Sequence, residues 1–73
     1  MKIIKLTLAT VSDNDILYTG EEILLNAENM ILAEPFETRT QWITEITLIT
    51  GKVILVKESI DELEDFLRAI TNN

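Results

Sequence analysis

The chain contains no cysteine and no histidine. The first absence excludes a disulfide framework. Together they remove the thiol nucleophile, the commonest general base, and the thiolate and imidazole metal ligands. Carboxylates are then the only side chains able to bind a metal, and they lack the alternating loop spacing of a calcium hand. Two glycines lie far apart, so no glycine-rich phosphate loop is present. Ser12 and Ser59 have no base partner of the usual kind. An enzyme, a metal site and a bound cofactor are therefore not expected. Basic residues are also few: six Lys and Arg are scattered along the chain, against 13 Asp and Glu. Phosphate backbones need clustered positive charge, so direct nucleic-acid binding is not expected. No apolar run approaches a membrane span. The start, Met1 to Leu8, is broken by Lys5 and Thr7 and alternates at period two, which reads as a strand and not as a leader. The expectation is a cytoplasmic protein with no membrane insertion.

What is present is apolar residue: 47% of a 73-residue chain carrying a net charge of −7. That length predicts one domain over residues 1–73. A domain so small buries a modest core and gains from a supplement. With disulfides excluded and metal unsupported, a second copy of the chain is the expected supplement. The acidic balance suits solubility or docking onto a basic protein surface.

Periodicity predicts about five strands. Lys2 to Thr10 is the first, and it carries few charges, so its edge must be covered or paired. Strand addition across such an edge would build a dimer on backbone bonds. Ser12 to Asp15 is a turn cluster, and Ile16-Leu17-Tyr18 a short apolar piece ended by Thr19-Gly20. Glu21 to Leu25 reads as a strand and Asn26 to Asn29 as a turn or one helical turn. Met30 to Phe36 is a strand, with Pro35 indicating an edge. Glu37 to Gln41 is a polar loop, Trp42 to Ile49 a strand, Thr50-Gly51 a hairpin turn, and Lys52 to Lys57 the returning strand. Val53 to Val56 is apolar on both faces, which suits a central strand, or one face on a helix and the other on a second subunit. Ile54 and Val56 are the candidates for that second contact; the alternative is a barrel-like sheet in which Ile54 and Val56 are partly exposed.

Ser59-Ile60-Asp61-Glu62 has capping-box spacing. Beyond it Ile60, Leu63, Phe66, Leu67 and Ile70 fall within an arc of roughly 120° on a helix. Asp61, Glu62, Glu64 and Asp65 occupy the other side, and they sit in the first half of the helix, where they complement its dipole. They are either a solvated face or a docking face for a basic partner. Asn72 and Asn73 end the chain. The predicted fold is α+β: a small antiparallel β-meander of about five strands closed by one C-terminal amphipathic helix.

Trp42 is the only tryptophan and follows a polar loop, so it is either a candidate interface anchor, with Phe36 and Pro35 beside it as an apolar patch, or ordinary packing at the start of a strand. Lys5-Leu6-Thr7, Gly20, Leu25-Asn26, Thr47-Leu48, Gly51-Lys52 and Val56-Lys57-Glu58-Ser59 together resemble the small flagellar-operon proteins of the FlbD type. The resemblance covers most of the chain and is specific mainly over residues 47–59. It implies a non-enzymatic accessory factor linked to motility and brings no catalytic residue. Residues 9 to 19 look inserted relative to that pattern, and residues 34 to 42 form a longer connection. The functional expectation is an oligomeric protein-interaction module. The alternative is an acidic phage- or mobile-element-type inhibitor that mimics nucleic acid.

Overall fold

Residues 2–71 are described in a computed structural model. Asn72 and Asn73 lie outside the described residues. The elements are β1 (Ile3–Val11), β2 (Leu17–Asn26), a 3-10 turn (Ala27–Asn29), β3 (Met30–Glu37), β4 (Trp42–Leu48), β5 (Val53–Val56) and α1 (Ile60–Thr71). The strands form one open antiparallel sheet in the order β2-β1-β5-β4-β3. A hairpin (β1–β2) and a three-strand meander (β3–β4–β5) are thus joined between β1 and β5. β5 is the central strand, as its two apolar faces suggested.

The consecutive strands β2 and β3 do not pair; they are the two outer edges. Only Ala27 to Asn29 separates them. That link is anchored at both ends: the Ala27 amide donates to the Lys2 carbonyl at 2.8 Å, and the Ile49 amide to the Asn29 carbonyl at 2.8 Å. So short a bridge between opposite edges requires the sheet to curl strongly, extending its natural twist. The curl makes a concave face, and α1 fills it. Ile4, Leu6, Leu25, Ile46, Val56 and Leu63 form the core there, with Leu67 and Ile70 packed against it.

Local chemistry explains most boundaries. Gly51 sits at φ +90, a conformation that costs other residues energy, and closes the β4–β5 turn. Asn26 caps the 3-10 turn by accepting from the Glu28 amide at 3.0 Å. Ser59 Oγ accepts from the Glu62 amide at 3.2 Å, and Glu62 Oε1 accepts from the Ser59 amide at 3.4 Å, a reciprocal capping box. Pro35 does lie on an edge strand, β3.

One boundary differs. Thr19-Gly20 does not end a short piece; β2 runs unbroken from Leu17 to Asn26. Thr7 pairs with Glu22 and Ala9 with Thr19, so Gly20 and Glu21 together oppose Leu8 in a β-bulge. A Cβ at Gly20 would sit 3.2 Å from the Leu8 carbonyl oxygen. The glycine permits a close approach of neighbouring backbones and does not mark a turn.

Candidate functional site

Trp42 opens β4 and is 55% exposed. It pairs with Glu37 across the β3–β4 hairpin, and Thr44, two residues on, pairs with Pro35. Side chains alternate along a strand, so Trp42 and Pro35 share a face. Phe36 pairs with Ile43 and belongs to the opposite face, where it is half-buried. The anticipated patch therefore contains Pro35 and not Phe36. The first turn of α1 supplies the other wall. Pro35, Trp42, Ile43, Ser59, Ile60 and Asp61 line an open groove of about 400 Å³.

The groove is held by bonds spread widely in sequence. Thr38 is buried; its amide donates to the Gln41 carbonyl at 3.0 Å, and its Oγ1 to the same oxygen at 2.7 Å. This fixes the loop that presents Trp42. Thr44 is fully buried and its Oγ1 donates to the Glu58 carbonyl at 2.7 Å, locking β4 to the residue before the helix cap. The Arg39 amide donates to the Asp15 carbonyl at 2.9 Å, and Arg39 Nε to the Asn14 carbonyl at 2.7 Å. The two hairpin tips, β1–β2 and β3–β4, are thereby tied together.

The remaining candidates are dispersed. Val56 is fully buried and Ile54 packs against the core beneath the helix. Neither faces outward, so neither is available to a second subunit. The outward side of β5 is instead Val53, 52% exposed, and the half-buried Leu55. Asp61, Glu62, Glu64 and Asp65 are all exposed. Glu62 completes the cap, and Glu64 pairs with Arg68 at 3.2 Å, one helical turn on. Asp61 borders the Trp42 groove. Among the described residues, no group of three or more carboxylates is placed to hold a metal ion.

Sequence reasoning missed the role of Glu58. Its carboxylate accepts from the Thr7 amide at 2.8 Å and from Thr7 Oγ1 at 3.0 Å. No local pattern signals this contact, because Thr7 is 51 residues away. A second open groove, of about 430 Å³, lies between β1 and the C-terminal half of α1, lined by Ile3, Ile4, Lys5, Phe66, Ala69 and Ile70.

No family model, curated protein or solved structure matches the chain. No described helix is long and apolar enough to cross a membrane.

Proposed function

We propose that this chain is a small non-enzymatic protein-interaction module of the cytoplasm, oligomeric, that docks onto another protein through the Trp42 groove. The observation that carries the reading is an exposed tryptophan, 55% open to solvent, at the start of β4 beside Pro35, Ile60 and Asp61. Exposing so large an apolar ring is unfavourable in the free chain, and tryptophan is enriched where partners bury an anchor. The ligand class is a protein segment with an apolar side chain for the groove and a basic group for Asp61. The rest of the acidic surface suits the same basic partner by long-range attraction. The FlbD-type pattern over residues 47–59 links the module to motility as an accessory factor.

The test is capture from extracts of the source cell on immobilised wild-type chain and on Trp42→Ala, with circular dichroism confirming that both are folded. The expected result is a protein held by the wild type and weakened about thirtyfold or more by Trp42→Ala, the scale of an interface hot spot. Asp61→Asn and added salt should weaken it further. Equal capture by both chains would remove the docking assignment. Capture of a nucleic-acid-binding protein that duplex DNA competes away, and that ignores Trp42→Ala, would replace it with the nucleic-acid-mimic reading.

A further inference from the structure

The sheet has an opening inside it. β1 and β5 share a single ladder pair, Leu8 with Val56, although β1 continues to Ile3. The Lys57 amide still donates to the Thr7 carbonyl at 2.8 Å, and the Glu58 carboxylate takes the Thr7 amide. After Glu58 the chain leaves the sheet and enters the helix. N–H and C=O of one strand residue point to the same side, and the side alternates along the strand. Thr7 points toward β5. At the other end the Lys2 carbonyl accepts from Ala27, on the β2 side. Pairing with β2 is regular from Ile3 to Thr7. Ile3 and Lys5 therefore aim both backbone groups at the edge that β5 has abandoned, where among the described residues no strand, turn or side chain bonds them. The second groove lies along that edge.

We infer that this edge is the self-association site of the chain, occupied by β1 of a second copy running antiparallel about a two-fold axis at Ile4. The inference deepens the oligomeric part of the proposed function and stands apart from docking at Trp42. The spacing is self-complementary. With Ile3 opposite Lys5 of the second copy, each such pair exchanges two backbone bonds, and symmetry doubles them to four. Ile4 then faces Ile4 of the second copy, and Phe66, Ala69 and Ile70 of the two helices close below.

Charge selects this occupant. The groove lining holds one charged residue, Lys5, whose ammonium is 3.5 Å from Glu22 of its own chain, and no acid. The helical acids Asp61, Glu62, Glu64 and Asp65 all precede Phe66 in sequence, and none of them lines the groove. A basic peptide would find no carboxylate here, whereas a second copy brings apolar surface to apolar surface. The other edges carry protection against pairing: β3 has Glu34, Pro35 and Glu37, and β2 has Glu21 and Glu22. The open half of β1 has only Lys5.

The experiment is sedimentation velocity of the full chain from micromolar to millimolar concentration, with amide hydrogen exchange at Ile3 and Lys5. The expected result is a dimer, with both amides protected more strongly as concentration rises. Two variants test the surface. Lys5→Pro deletes an edge N–H that bonds nothing among the described residues, and Ala69→Glu sets like charges across the axis on an exposed helix position. Each should weaken the dimer about tenfold or more while leaving the unfolding midpoint of the monomer nearly unchanged. Added salt should strengthen the dimer by screening two chains of charge −7, the reverse of its effect on a basic partner at Trp42. A monomer at every concentration overturns the inference, as does a dimer indifferent to both variants. Edge amides that gain protection only with an added extended peptide would assign the edge to a foreign strand instead. Trp42→Ala should leave the dimer intact, so either site can fail without the other.

Discussion

Replacing Glu58 with alanine tests the architecture at its least redundant point. The carboxylate stands where the next rung of the β1–β5 ladder would be, accepting the Thr7 amide at 2.8 Å and Thr7 Oγ1 at 3.0 Å in a half-buried setting. Hydrogen bonds to charged groups contribute about 1.5–3 kcal/mol, and a donor left without a partner costs about 1–3 kcal/mol. Both bonds end on one residue and water can partly reach it, so they do not add fully. Glu58→Ala should cost about 2 kcal/mol, or a roughly thirtyfold shift in the folding equilibrium. A chain of 73 residues has about 4–11 kcal/mol in total, so the loss is a large share. Glu58→Gln keeps a neutral acceptor for the amide and should lose about half as much. Thr7→Val removes only the hydroxyl bond and should cost about 1 kcal/mol. The assay is urea unfolding followed by circular dichroism, with amide exchange at Thr7. The midpoint should fall in the order Ala, Gln, wild type, with the slope unchanged. A loss below about 0.5 kcal/mol for Glu58→Ala, with the Thr7 amide still protected, would refute the reasoning. It would mean that water, or a neighbouring group, replaces the rung at no cost.

Two further substitutions probe the helix. Leu63→Ala deletes the buried centre of its apolar stripe, 2% exposed, and should cost about 2–5 kcal/mol in thermal or urea unfolding; a loss under about 1 kcal/mol would mean that the helix does not close the core. Ser59→Ala removes the cap acceptor at 3.2 Å and should cost about 1 kcal/mol, read as faster amide exchange at Glu62 and a lower midpoint.

Where structure follows from neighbours in sequence, the chain announces it. The Thr50-Gly51 turn, the Ser59 cap, the apolar stripe through Leu63 and the edge position of Pro35 all rest on residues within one turn or one strand. What was not legible rests on contacts between distant segments. Gly20 looks like punctuation until Leu8 is placed against it. Residues 53 to 56 are all apolar, so period two cannot say which pair faces the helix; the answer, Ile54 and Val56, needs α1 in place. Phe36 and Trp42 lie close in sequence, yet the Phe36–Ile43 and Glu37–Trp42 register sets them on opposite faces. The Trp42 groove was half visible for the same reason: its strand residues come from one hairpin, but Ile60 and Asp61 come from the helix.

Glu58 joins these two kinds of information. Locally it is the residue before a helix cap, and nothing in its neighbours requires it to be acidic. In the fold it ends one strand by bonding to another, and that ending has two consequences. It lets the chain turn early enough for α1 to cross the concave face, with Leu63 reaching Val56 and Leu6 in one core. It also leaves Ile3 and Lys5 without the partner strand that a longer β5 would have supplied. A β5 extended by three or four residues would satisfy that edge, but it would delay the helix by the same distance and displace Leu63 from the core. The closed core and the open edge are therefore one choice.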